Sequence, residues 1–139
     1  MADERRSGHA TAMAGEFFVM EKLFRLGHEP ALTMGNAKSI DILVRKPDGA
    51  LREISVKAVC GGGKWGVSSD DESGCKNRIY VLLIYRDFDD LKGAVDVFVV
   101  PAPKLQSLKA PWFKGQAVYY SDKQTLSVLE KYRDAWTNV

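Results

Sequence analysis

Between Ser39 and Lys57 the chain sets acidic, hydroxyl and ammonium groups at two-residue intervals. Residues 40–46 alternate Ile40, Ile42 and Val44 against Asp41, Leu43 and Arg45. Residues 51–59 alternate Arg52, Ile54, Val56 and Ala58 against Leu51, Glu53, Ser55, Lys57 and Val59. A period of two over such runs is that of a pleated strand. Between them Pro47-Asp48-Gly49 supplies a fixed φ, an Asx acceptor and tolerance of positive φ, which is the chemistry of a turn. The expected hairpin carries Asp41 on one strand and Glu53, Ser55 and Lys57 on one face of the next. For Asp41 to share that face, directly opposed residues must have numbers of equal parity. The connection then needs three or five residues, or a bulge. Taken alone, the same alternation describes the solvated face of an edge strand.

Glu16 argues against that plain reading. A helix is expected from between Ser7 and Thr11 to Leu26, with Gly27 as its left-handed cap. Turned at about 100° per residue, Met13, Phe17, Val19, Met20, Leu23, Phe24 and Leu26 fill one broad arc, and Glu16 falls near its middle. A carboxylate there is desolvated at a cost or faces a group that compensates it. Phe18 is the converse, an aromatic on the polar side, and reads as an interface residue.

Further elements must hold these two together. Residues 28–34 read as a short strand and residues 35–38 as a loop into the hairpin. Residues 68–77 are polar and rich in Ser, Asp and Gly, as loops are. Residues 79–85 and 94–100 are dense apolar runs, suited to strands covered on both faces at the centre of a sheet. Pro101 and Pro103 end the second run. A short helix is expected over 104–109 and a last strand over 117–120. Ser121 with Gln124 matches a capping box, followed by a helix with Leu126, Leu129, Tyr132 and Trp136 on one stripe. The order predicts one domain over residues 1–139: an α/β, three-layer arrangement with a mixed sheet flanked by an N-terminal and a C-terminal helix.

Composition narrows the function classes. The 139 residues carry a net charge of +2, 45% apolar residues and 27% charged residues, the balance of an ordinary globular protein. No field of the whole molecule announces nucleic acid or membrane, so a basic site must be local. No apolar run approaches the roughly 20 residues that span a bilayer. The start Met-Ala-Asp-Glu-Arg-Arg lacks a signal-peptide apolar region, which makes the cytoplasm the expected compartment. Cys60 and Cys75 are then expected as thiols.

Glu16 on a helix, Asp41 opening one strand and Lys57 on the next form an ordered set. With Gly15, Gly27, Ile40-Asp41-Ile42, Pro47-Asp48-Gly49 and Ile54-Ser55-Val56-Lys57, the chain resembles the PD-(D/E)XK nuclease superfamily over about residues 10 to 100. The resemblance implies a restriction-endonuclease-like core and a metal-dependent DNA endonuclease. Asp41 would be the main ligand of Mg²⁺ or Mn²⁺, Glu16 the helix carboxylate, and Lys57 the catalytic lysine. Hard oxygen ligands suit such an ion, and an ammonium beside it stabilises hydroxide and the phosphorane-like transition state. Ile40 replaces the Pro of the pattern, which has no chemical task. Ser55 replaces the acidic residue before the Lys. Glu53, roughly 7 Å back along the same strand face, is the expected compensating ligand. Without it, the alternative is a nuclease-like domain that has lost catalysis and binds nucleic acid or a protein partner.

Lys38, Arg45, Lys46, Arg52 and Lys64 surround the hairpin and are the expected phosphate contacts. Trp65, after three glycines, could stack on a base or anchor a loop to the core. Trp112-Phe113 reads as core closure or a dimer contact, and a homodimer acting on two DNA strands is expected by resemblance.

Overall fold

The computed structural model describes residues 8–33, 40–67 and 77–139. Helix α1 (Gly8–Arg25) opens the described chain. It ends in a Schellman motif: Gly27 has φ +88°, its N–H donates to the Phe24 carbonyl, and the His28 N–H donates to that of Leu23. Strands β1 (Glu29–Leu32), β2 (Ile42–Arg45), β3 (Leu51–Val59) and β4 (Lys64–Val67) follow, then β5 (Arg78–Tyr85) and β6 (Val95–Pro101). Helix α2 (Ala102–Leu108), strands β7 (Ala110–Trp112) and β8 (Gly115–Tyr119), helix α3 (Lys123–Glu130) and a 3₁₀ turn (Trp136–Asn138) complete it.

A five-stranded sheet in the order β1-β2-β3-β5-β6 forms the middle layer, mixed because β3 and β5 run parallel and every other pair antiparallel. One face buries Ile42, Val44, Ile54, Val81, Leu83 and Val99 against Val19 and Leu23 of α1 and the C-terminal Val139. The other face buries Tyr80, Leu82, Phe98 and Val100 beneath Trp65, Val118, Leu105 and Leu129. That second cover includes a three-stranded sheet, β4-β8-β7, as well as α2 and α3. The three-layer α/β arrangement is as expected, with a small second sheet in its outer layer. Strands β4 and β7 are too short, at four and three residues, to show a period in sequence.

The hairpin has the odd connection that the chemistry required. Ile42 opposes Ile54 and Arg45 opposes Leu51, and residues 46–50 join the strands. Gly49 takes φ +89°, Lys46 and Ala50 remain paired at 2.8 Å, and Asp48 Oδ1 accepts from the Ala50 N–H at 2.9 Å.

Three local expectations are corrected. The face of α1 turned to the sheet is the stripe Thr11, Gly15, Val19 and Leu23, while Phe17 and Phe24 are 57% and 58% exposed. A Cβ on Gly15 would stand 2.6 Å from the Ala58 Cβ, so the helix lies on β3 along its smallest residues, not its most apolar ones. Phe18, on the polar side of the arc, is partly buried against the core with the Lys22 ammonium 4.8 Å over its ring. Second, β6 is last in the sheet order, yet the chain after α3 covers its edge: the Val99 N–H donates to Tyr132 and the Asp134 N–H to the Val97 carbonyl, each at 2.9 Å. Third, the cap of α3 is Asp122, whose carboxylate accepts from the Thr125 N–H at 2.9 Å, in place of Ser121. Tyr132 and Trp136 fall beyond that helix. No helix among the described residues is long and apolar enough to cross a membrane.

Candidate active site

Asp41 stands one residue before β2, where the ladder to β3 becomes irregular. Its N–H donates to the Ile54 carbonyl at 2.9 Å, and its carbonyl accepts from the Thr33 N–H at 3.0 Å. Its side chain then does what a ladder carbonyl would do: Oδ2 accepts from the Val56 N–H at 2.7 Å. The carboxylate is thereby fixed against β3 beside Ser55 and Val56. That bond to a backbone N–H orients the carboxylate.

Gly15 lets α1 settle on Val56 and Ala58, and Glu16, next on that helix, lies within electrostatic reach of Asp41. Burial pushes the Glu16 carboxyl up from its ordinary value; the nearby Asp41 charge adds to this and His9 partly offsets it. Glu16 therefore faces another anion with only His9 as a partial offset, an arrangement that a bound cation would relieve. His9 lies in the first turn of α1.

Ser55 is 1% exposed, and its hydroxyl oxygen has no hydrogen-bond partner. Such an orphan costs about 1–3 kcal/mol. Lys57 follows on the same side of β3, its ammonium 6.0 Å from the centre of the Tyr80 ring. In strand register Tyr80 lies beside Ser55 and Leu82 beside Lys57.

Glu53, the expected compensating ligand, is paired with Arg78. Its Oε1 accepts from Arg78 Nε at 3.4 Å and Nη2 at 3.2 Å, and Arg78 is only 6% exposed. A buried guanidinium keeps its charge, so it claims the nearest carboxylate. Arg78 and Tyr80 escaped the sequence reading because they open an apolar run; the alternation Arg78, Tyr80 at its start was the available signal.

Trp65 is also corrected. At 1% exposure it cannot stack on a base; its Nε1 donates to the Leu83 carbonyl at 3.0 Å, and its ring packs against Phe98 and Tyr120. Lys64 belongs to the second sheet, with its ammonium 5.1 Å over the Trp112 ring. Phe113 beside it is exposed. Arg45 is exposed and paired with Glu29 across β1 and β2. Lys38, Cys75 and the acidic run 70–72 lie outside the described residues, and Cys60 is an exposed free thiol.

No group of three or more His, Cys, Asp or Glu side chains gathers among the described residues. The carboxylates of Glu16 and Asp41 act on one another, and the orphan Ser55 hydroxyl lies next to Asp41 in register but on the side of β3 away from α1; all are hard oxygens. That set fits Mg²⁺ or Mn²⁺, since Mg²⁺ is commonly held by one or two carboxylates and keeps several waters.

No protein-family model matches the chain, and no curated protein is similar to it. Among solved structures it is similar to a bacterial homing endonuclease, I-Ssp6803I, with a TM-score of 0.58 at 16% identity. The match covers 96% of this chain and 91% of that one. The fold is nuclease-like. At such low identity the likeness extends to nearly every element of the architecture and says nothing of individual side chains.

Proposed function

We propose that the protein is a divalent-metal-dependent DNA endonuclease of the PD-(D/E)XK kind, hydrolysing phosphodiester bonds. One observation carries this reading: within a nuclease-like fold, Asp41 is fixed on β3 beside Ser55 and its charge acts on the half-buried carboxyl of Glu16. Two anions held together in this way are destabilising unless a cation or proton joins them.

Asp41 and Glu16 would hold Mg²⁺ or Mn²⁺, with the Ser55 hydroxyl as a neutral donor to the ion or one of its waters. The ion, when bound, neutralises charge developing on the phosphate and favours ionisation of a water. Lys57 orients the attacking water and stabilises the negative charge it brings, because its ammonium stands on the same side of β3 as Ser55. Arg45 and Lys64 supply phosphate contacts that set affinity and not rate. One site cuts one strand, so double-strand cleavage calls for a homodimer.

The test is cleavage of supercoiled, linear and branched DNA with Mg²⁺ or Mn²⁺. Wild type is expected to cut, Lys57→Met to retain metal binding while losing at least about a hundredfold in rate, and Asp41→Asn to lose both. The ratio of nicked to linear plasmid at early times reads whether two sites act together. A second reading keeps the fold without catalysis, and the neutral Ser55 together with the commitment of Glu53 to Arg78 favours it. A wild type that binds DNA but cuts nothing with either metal would decide for that reading.

A further inference from the structure

The side of the sheet that carries Lys57 also holds a buried polar row that the proposed chemistry leaves unused. Strand register sets Arg78 beside Glu53 and Tyr80 beside Ser55. Nε and Nη2 of Arg78 both reach the same Glu53 oxygen, at 3.4 and 3.2 Å. The Tyr80 hydroxyl is hydrogen-bonded to that guanidinium, and the Lys57 ammonium lies 6.0 Å from the Tyr80 ring centre. Arg78 thus touches both the carboxylate that precedes Ser55 on its face and the phenol that adjoins Ser55 and Lys57.

We propose that Arg78 is a positioning residue that holds Glu53 away from the site, so that Glu16 and Asp41 are the carboxylates available to a metal ion. The proposal rests on the metal-dependent reading above. Its reason lies in the geometry of β3. Glu53 and Ser55 point to the same side, roughly 7 Å apart, a gap that an untied glutamate side chain largely spans. A glutamate side chain that is still 32% exposed keeps water as a partner and does not need a buried guanidinium. Burying one is costly, and the cost is met here with a carboxylate and a phenol aligned by register. Carboxylate number governs which ion a site takes. Mg²⁺ manages with one or two and keeps its waters, whereas Ca²⁺ gathers six to eight oxygens. Withholding Glu53 keeps the site suited to the smaller ion and spares the DNA phosphate a third repelling charge.

Isothermal titration of Mn²⁺, and separately Mg²⁺ and Ca²⁺, into DNA-free protein tests this in wild type, Arg78→Met, Glu53→Gln and the double variant. Arg78→Met is expected to bind Mn²⁺ about tenfold more tightly, to gain relatively more for Ca²⁺, and to return to the wild-type affinity when Glu53→Gln is added. Glu53→Gln alone is expected to leave metal affinity unchanged. A residue with a merely structural role would weaken binding or leave it alone, and Glu53→Gln would not reverse the change. Where Arg78→Met does not fold, Arg78→Lys keeps the charge but loses the two-nitrogen grip and is expected to shift affinity in the same direction. Wild type that binds metal while Arg78→Met and Arg78→Lys bind it no better overturns the proposal alone. Loss of binding in Glu53→Gln comparable to that in Asp41→Asn also overturns it, because Glu53 would then be a ligand. Absence of binding in all four proteins overturns the metal-dependent reading with it.

Discussion

At the scale of single residues, the informative groups are those whose surroundings do not satisfy them. Glu16 is raised first by burial and then by Asp41, so the folded protein holds its proton more tightly than the unfolded chain does. Stability without metal therefore falls as pH rises from the ordinary Glu value of 4.5 through the raised one, and the penalty persists above it. Glu16→Gln is expected to melt higher than wild type at neutral pH without metal, and to match it below that window. With Mg²⁺ added, wild type should gain thermal stability and the variant should not. A Glu16→Gln protein that melts lower throughout would mean that the carboxylate is satisfied by groups of the fold itself. Ser55 makes the matching case. Ser55→Ala removes the orphan oxygen, and is expected to leave metal-free stability unchanged or raise it by about 1 kcal/mol while weakening Mn²⁺ binding. Denaturant unfolding beside metal titration reads both quantities.

At the scale of elements, the site depends on how closely α1 approaches β3. Gly15 stands where an added Cβ would lie 2.6 Å from the Ala58 Cβ and 3.2 Å from a Leu83 methyl. Gly15→Ala is expected to cost about 1–3 kcal/mol through overpacking. It should also lower cleavage beyond what the lost stability explains, because Glu16 rides on the displaced helix. Ala58→Gly in the same chain removes the atom that clashes and is expected to recover most of the loss. A double-mutant cycle measures that recovery; additive effects would mean that the two residues do not meet. The odd hairpin connection works at the same scale, since an even one would turn Asp41 to the opposite face from Lys57.

For the molecule as a whole, the C-terminal segment closes the far edge of the sheet. Asp96 on β6 holds Arg86 and Arg133, and Arg133 also binds Glu130. Desolvation acts to raise the Asp96 carboxyl, and the hydrogen bonds from Arg133 and Arg86 outweigh it, leaving it below its ordinary value of 3.8. Its contribution to stability is therefore present above that value and is lost as pH falls through the depressed one. Asp96→Asn is expected to cost about 1–2 kcal/mol at neutral pH, allowing for the partial exposure of both arginines. The variant should also lose less stability than wild type on acidification below pH 3.8. Equal acid sensitivity in the two would remove Asp96 from the account. This network lies on β6, at the end of the sheet, so cleavage per folded molecule should not change.

What could be read without coordinates was whatever depends on local repetition. The period of two over residues 51–59, the turn at Pro47-Asp48-Gly49, the helix ending at Gly27 and the order Glu16, Asp41, Lys57 follow from side-chain spacing and backbone preference. These are properties of neighbours in the chain, and they sufficed for the α/β arrangement and for naming the three residues around which the site is proposed. Contacts between elements were decided only by the tertiary structure. The arc of α1 pointed to Phe17 and Phe24, but the helix lies along Gly15 because close approach is set by the smallest side chain at the crossing. Trp65 could equally have met a base or the core, and the short strand that carries it lays its ring against Phe98 of the main sheet. Glu53 had the right type and spacing for a ligand. Its fate turned on Arg78, twenty-five residues away along the chain, which a parallel crossover brings alongside. Burial leaves that guanidinium no water to turn to, and so it takes the carboxylate for itself.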